Sequence, residues 1–220
     1  MNDVVAAFVW MAGHGPVVAT AVKQHVLMSA VSLAVGGLIA LPLGAAVAES
    51  RVAAAVTINS INAIRTIPSL AILAAALPFL GIGFTPSVVA LVVLGIPPIL
   101  INTCVGLREV EPDIVDAATG IGMTWWQRLR QIKLPLAAPA MATGIRLAAI
   151  QVISGAALAS FIGGGGFGDF ITAGIAIMDV PRLLAGAMPI AALAFLVDGL
   201  LVALERKLFL RQGGKADGLA

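Results

Sequence analysis

EVEPDIVDAATGIGMTWWQRLRQIKLP, residues Glu109 to Pro135, is the one stretch in the body of this chain that does not read as membrane filling. It separates two apolar runs and carries four acidic residues followed by three basic ones, so it belongs in water or against another protein. Its local chemistry writes two short helices around a glycine break. Pro112 suits a first helical position, and Asp113 and Asp116 favour the positive end of a helix dipole, which predicts a helix over about 112–118. Gly120 and Gly122 interrupt it. Thr124 stands three residues before Gln127, the capping-box spacing, and opens a second helix through Ile132 that Pro135 is expected to close. On that helix Trp125, Leu129 and Ile132 fall on one face at i, i+4 and i+7, while Arg128, Arg130 and Lys133 point elsewhere. A helix of this pattern needs a groove to enter.

Outward from this stretch the chain is apolar. Of its 220 residues 60% are hydrophobic and 11% charged, with a mean hydropathy of +1.06. Soluble domains carry about 25% charged residues, so this is an all-α polytopic membrane protein. At about 20 residues per crossing the apolar runs supply about five transmembrane helices and leave no room for a soluble domain. The net charge of +2 is spread over loops, which excludes a nucleic-acid patch. Cys104 stands alone in an apolar segment and reads as a packing residue, and neither His14 nor His25 has acidic or thiol neighbours at metal-ligand spacing. Asp3 and the lack of a basic n-region argue against a cleaved signal peptide and for a first span that acts as an uncleaved anchor.

Residues 1–24 are expected to form an external or interfacial segment, broken by Gly13, Gly15 and Pro16. The transmembrane domain covers 25–205, with spans at about 25–48, 52–77, 87–105, 139–162 and 183–204, and a polar tail, 206–220, follows. Ser29, Ser32, Gly36, Gly37 and Gly44 equip the first span for close helix contact. In the second, Asn59, Asn62, Thr66 and Ser69 recur at three- and four-residue steps and draw a polar stripe, with Arg65 and Pro68 in the same helix. An arginine at mid-membrane costs about 2.5–3.5 kcal/mol on insertion scales, so Arg65 should face a bundle interior or a wet cavity. The stripe reads as lining a path or a dimer seam, or as hydrogen-bond glue between helices. Pro97 and Pro98 predict a bend in the third span. Arg146 is expected to snorkel from the fourth span to the interface, and Asp198 in the fifth demands a partner that the sequence does not name. GGGGFG, 163–168, contains G-x-G-x-x-G without a surrounding βαβ unit and reads as a flexible turn before a short interfacial helix at Phe167, Phe170 and Ile171. If 109–135 is cytoplasmic, Arg51, Arg108, Arg128, Arg130, Lys133, Arg206, Lys207, Arg211 and Lys215 lie inside and Lys23 and Arg182 outside, which predicts N-terminus out and C-terminus in.

Asp116, Ala117, Ala118, Gly122, Ile132, Leu134 and Pro135 follow the spacing of the EAA loop of ABC-importer permeases, with Asp116 where glutamate is usual. RTIPSLAIL (65–73), LGIGFTPSVVAL (80–91), PPILINTCVGL (97–107), LPLAAPAMATGIR (134–146) and FIGGGGFGDFI (161–171) resemble the osmoprotectant permeases that import glycine betaine, choline or carnitine. The resemblance implies the methionine-importer-like permease fold in a bacterial cytoplasmic (inner) membrane. It implies a cytoplasmic ABC ATPase dimer that holds ATP and Mg, a second permease subunit, alike or closely related, and an extracytoplasmic substrate-binding protein. It also makes 109–135 the coupling loop, in which Asp116, Ala117, Ala118, Gly122, Trp125, Leu129, Ile132, Leu134 and Pro135 would dock the ATPase. Asn59, Asn62, Arg65, Thr66 and Ser69 would line the translocation path.

On this reading the chain is a non-catalytic subunit that binds no cofactor, catalytic residue set or metal of its own, and no G-x-x-x-x-G-K-[ST] loop occurs in it. With no tyrosine and three tryptophans, two of them in the loop, it lacks the makings of an aromatic cage, so primary selectivity is expected in the binding protein. The mechanism expected is alternating access driven by ATP. The alternatives are a permease for another small solute such as methionine and, from another class, a self-contained channel or secondary carrier. The latter should show intramembrane acid–base relays or inverted repeats, for which only Asp198 and Arg65 are candidates.

Overall fold

In the computed structural model, which describes residues 2–213 and side chains as far as 207, the chain is a helical bundle built around one central helix. The helices are α1 (Asp3–Gly13), α2 (Gly15–Ala48), α3 (Arg51–Arg65), α4 (Ser69–Leu80), α5 (Phe84–Arg108), α6 (Pro112–Gly120), α7 (Trp125–Arg128), α8 (Leu134–Gly155), α9 (Gly168–Ala176) and α10 (Val180–Gly213). A π-helical turn, Leu129–Lys133, joins α7 to α8, and a 3-10 turn, Leu158–Ile162, follows α8. Four of these rods are long and apolar enough to cross a membrane, and the bent pair α3 and α4 makes up to five.

The centre is α5, whose most apolar window is 61% buried against 6% for α10 at the periphery. Helices in lipid gain little from apolar burial against one another, so close approach of small residues has to hold them. On α2, Ser32, Gly36, Ala40 and Gly44 repeat every fourth residue and all turn inward onto α5. Ser32 Oγ donates to Val88 O at 3.3 Å. A Cβ on Gly44 would meet Thr103 Cβ at 2.8 Å, and one on Gly144 of α8 would meet Pro98 O at 2.8 Å and Asn102 Cβ at 2.7 Å. The backbones of α2 and α8 therefore both rest directly on α5.

The structure departs from the sequence reading where backbone breaks were inferred. The break expected at Gly13, Gly15 and Pro16 lies at His14, between α1 and α2, and the helix that holds the first span starts directly after it at Gly15, with Pro16 in its first turn, where no N–H is needed. The second span is not one helix: α3 and α4 meet at 90° across Thr66, Ile67 and Pro68, since Pro68 disfavours helical backbone at the residue before it. The polar stripe is thereby split. Asn59 and Asn62 stay exposed on α3, while Thr66 and Ser69 sit at the corner. The third span is a continuous helix through Pro97 and Pro98, where Asn102 Nδ2 donates to the Pro98 carbonyl at 2.8 Å.

Pro135 does not close the second helix of the 109–135 segment. The π turn, in which Leu134 N–H reaches back to Leu129 O, widens the coil just before Pro135, and the proline enters α8 in its first turn. Trp125 to Gly155 is one 31-residue rod, and it ends short of the expected 162.

The glycine loop is held rather than flexible. Gly166 N–H donates to Gln24 Oε1 at 3.0 Å, Gly83 N–H to Ile162 O at 2.7 Å, and Gly166 takes φ +84°, which favours glycine. Phe167 and Phe170 are 3% and 4% exposed, packed with Ala21, Ile153 and Ile190, so α9 starts inside the bundle and not at its surface. Trp10 of α1 stands edge-on to Phe170 at 5.1 Å, which seats the N-terminal helix against the same cluster.

Candidate coupling surface and translocation cleft

The segment 109–135 folds as two short helices about Gly122, whose φ of +81° is the left-handed turn that glycine permits. Thr124 and Gln127 form the reciprocal capping box, with Thr124 N–H to Gln127 Oε1 at 2.7 Å and Gln127 N–H to Thr124 Oγ1 at 3.4 Å. Arg128 Nη1 donates to Met123 O at 2.8 Å and closes the connection from the other side. The loop is thus a defined shape before any partner arrives.

Its residues divide into two faces. Ala118 and Leu129 are buried, and Leu129 packs with Leu107 and Ala137, against which Leu134 and Ala45 also rest. Ile132, Leu134 and Pro135 are half-buried. Asp116, Ala117, Gly122 and Trp125 are exposed, as are Ile121 and Trp126. Trp125 and Trp126 stand edge to face at 4.8 Å, with the Arg130 guanidinium 5.7 Å from the Trp126 ring. The expected single face of Trp125, Leu129 and Ile132 is therefore divided: Leu129 anchors the segment to the bundle and the tryptophans are presented outward.

Between this segment and the bundle lies a polar cleft of about 270 Å³ whose wall includes Glu49, Arg51, Arg108, Asp116 and Lys133. Lys133 Nζ pairs with Glu49 Oε1 at 2.8 Å. Burial alone would push the Glu49 carboxyl up, but Lys133, with the Trp125 indole and Arg128, outweighs it and holds the carboxyl below its ordinary value. Glu49 is a site residue that the sequence analysis did not single out. Its signal was one acid at a helix end between apolar spans.

A second cleft, of about 420 Å³, opens at the corner between α3 and α4. Of the residues proposed from the sequence as a path, Arg65, Thr66 and Ser69 line this cleft and Asn59 and Asn62 do not. Gln151 of α8 and Pro97 of α5 complete the wall. Gln151 was not among the expected path residues; its signal in the sequence is a lone amide in an apolar span. Arg146 does not simply snorkel: its Nε lies 3.3 Å from Asp198 Oδ1 and its Nη1 3.6 Å from Glu205 Oε2, which supplies the partner that Asp198 required.

The family model described as the binding-protein-dependent transport system inner membrane component matches residues 36–210. The glycine betaine/carnitine/choline transport system permease protein OpuCB of Bacillus subtilis (strain 168) is 40% identical over 184 residues, 84% of this chain and 85% of that protein. The choline transport system permease protein OpuBB of the same organism is 42% identical over 185 residues, covering 84% and 85%. The osmoprotectant import permease protein OsmY of Salmonella typhimurium (strain LT2) is 38% identical over 188 residues, covering 84% of this chain and 80% of that protein. Among solved structures, an inward-facing conformation of the MetNI methionine ABC transporter superposes with a TM-score of 0.78, covering 89% of this chain and 98% of that one at 22% identity, which establishes the shared fold.

Proposed function

Because the chain belongs to the family of inner membrane components of binding-protein-dependent transport systems, we propose that it forms half of the translocation path of an ABC importer for a small osmoprotectant such as glycine betaine, carnitine or choline. One observation carries this reading: identity of about 40% over 84% of the chain with permeases named for those solutes. The site geometry supports it. A separate ATPase docks on the exposed faces of Asp116, Ala117, Gly122, Trp125 and Trp126, and a binding protein delivers solute from the other side of the membrane. A second permease subunit closes the path against the exposed side of α3. The distribution of Lys and Arg supports a C-terminus inside; of the charges counted, Arg211 and Lys215 lie outside the described side chains.

The physical basis of coupling is the continuity of the rod from Trp125 to Gly155. Gln151 lies 26 residues beyond Trp125, about 39 Å at 1.5 Å per residue. A displacement of the tryptophan end by the closing ATPase is delivered along one rod to the wall of the Arg65 cleft. The Glu49–Lys133 pair and the Leu107–Leu129–Ala137 cluster make α2 and α5 follow. Alternating access then amounts to rocking α8 against the corner of α3 and α4.

The test is reconstitution of the chain with its ATPase and binding protein in proteoliposomes, with uptake of labelled glycine betaine, carnitine and choline measured with and without ATP. ATP-dependent accumulation of at least one of the three is expected. Uptake without the ATPase would establish a self-contained carrier instead, and ATP-dependent uptake of methionine alone would leave the permease role but overturn the solute class.

A further inference from the structure

The cleft at the corner of α3 and α4 has a chemistry that goes beyond a generic path. Its wall holds one full charge, on Arg65, and no acidic side chain. Among the described residues Arg65 makes no ion pair, whereas Lys133 and Arg146 each have a carboxylate partner. Pro97 lies near the midpoint of α5, 84–108, so the cleft is at mid-membrane depth if α5 spans the bilayer. An unpaired arginine at that depth is expensive, and it persists there only where it faces water or an anionic group. Its position in the last turn of α3, where a cation meets the negative end of the helix dipole, offsets part of that cost but uses none of its hydrogen-bond donors.

Neighbouring donors converge on the same space. The Thr66 hydroxyl is occupied, donating to Ala63 O at 2.7 Å, but the Gln151 amide and the Ser69 hydroxyl have no partner among the described residues. Ser69 also opens α4, a 12-residue helix whose Ala71 and Ile72 amides donate to Pro68 O, which leaves the Ser69 and Leu70 amides without a backbone acceptor among the described residues, at the end where the dipole is positive. A broken span with a half-helix N-terminus, a guanidinium and an amide around a mid-membrane cavity fits an anion with two acceptor oxygens. Leu94 and Pro97 supply an apolar wall beside it, suited to methyl groups.

We infer that Arg65, with Gln151 and Ser69, forms a carboxylate-binding station in the permease, so the membrane subunit itself favours methylated zwitterions carrying a carboxylate over cations that lack one. This inference rests on the proposed importer function, and it adds a selectivity step beyond delivery by the binding protein. Carnitine and glycine betaine carry the carboxylate; choline does not. The guanidinium fork engages it bidentately when the path opens from outside, and rotation of the Gln151 wall with α8 loosens the contact when the path opens inward.

The test is the ratio of ATP-driven carnitine to choline uptake in proteoliposomes that hold the complete complex, for wild type, Arg65→Gln and Arg65→Lys. A ratio does not depend on how much protein folds. Arg65→Gln is expected to lower the carnitine-to-choline ratio at least about tenfold, the loss that one charge-assisted hydrogen bond carries, and Arg65→Lys, which keeps the charge but not the fork, to recover only part of it. An unchanged ratio in Arg65→Gln, with wild type active on both solutes, overturns the station and leaves the importer reading standing. A wild-type complex that moves choline alone also overturns it, and one that moves none of these solutes overturns the importer reading with it.

Discussion

Lys133 Nζ lies 2.8 Å from Glu49 Oε1, so the last residue of the π-helical turn is tied to the residue that caps α2. The pair joins the 109–135 segment to a helix that packs along the length of α5. Both side chains are partly open to solvent, at 20% and 36%, which limits the pair to about 1 kcal/mol of stability. Lys133→Gln should therefore move the thermal midpoint in detergent by no more than about 2–4 °C, while ATP-driven uptake falls several-fold because α2 no longer follows α8. An unaltered rate of uptake would remove the pair from the coupling path.

The same pair has a pH signature. The Glu49 carboxyl is held below its ordinary value in the folded chain, so its contribution is fully present above the unfolded value and is lost as pH falls through the folded one. The stability difference between wild type and Glu49→Gln should thus be constant at neutral pH and vanish on acidification below the usual glutamate range. A difference that persists at low pH would assign the effect to packing rather than charge.

Arg146 bridges Asp198 and Glu205, which lie two turns apart on α10. Removing the arginine leaves two carboxylates facing each other, whereas removing one carboxylate leaves an intact pair. Both pairs are partly open to solvent, so Arg146→Met should destabilise the chain by about 1 kcal/mol, and Asp198→Asn by less than half as much. Thermal unfolding of the two purified variants orders them, and the reverse order would mean that the triad does not hold α10 to α8.

Close backbone contact predicts a third pair of outcomes. A Cβ on Gly144 meets Pro98 O at 2.8 Å and Ile99 Cα at 3.3 Å, while one on Gly37 meets nothing within 4 Å. Gly144→Val should cost about 1–3 kcal/mol or prevent assembly of the bundle, and Gly37→Ala should stay within about 0.5 kcal/mol. Membrane insertion followed by thermal unfolding separates them.

Periodicity and composition carried the all-helical membrane architecture because mean hydropathy is a local property, summed over each span. The capping box at Thr124 and Gln127 was legible for the same reason: two side chains three positions apart decide it. The errors arose where a proline has two meanings. Pro16 and Pro135 both enter helices in their first turn, yet of the two only Pro16 follows a break; Pro97 and Pro98 lie within one helix and Pro68 sits at a 90° corner, choices made by neighbouring helices that no short window contains. The long-range pairs were hidden likewise. Nothing local joins Glu49 to Lys133 or Arg146 to Asp198, and Gln151 became part of the Arg65 cleft only once α8 was laid against α5.

The central claim is that the exposed face of 109–135 is where a separate ATPase grips this permease. The most direct measurement is co-purification of the membrane-inserted chain with that ATPase, comparing wild type with Gly122→Asp and with the double change Asp116→Lys, Ala117→Glu. Asp116 and Ala117 are exposed and Gly122 holds a φ of +81°, so these changes alter the docking face and its turn while leaving the bundle contacts of Leu129 intact. Loss of the ATPase from both variants, with insertion retained, is expected. ATPase retained by both variants at the wild-type level would contradict it.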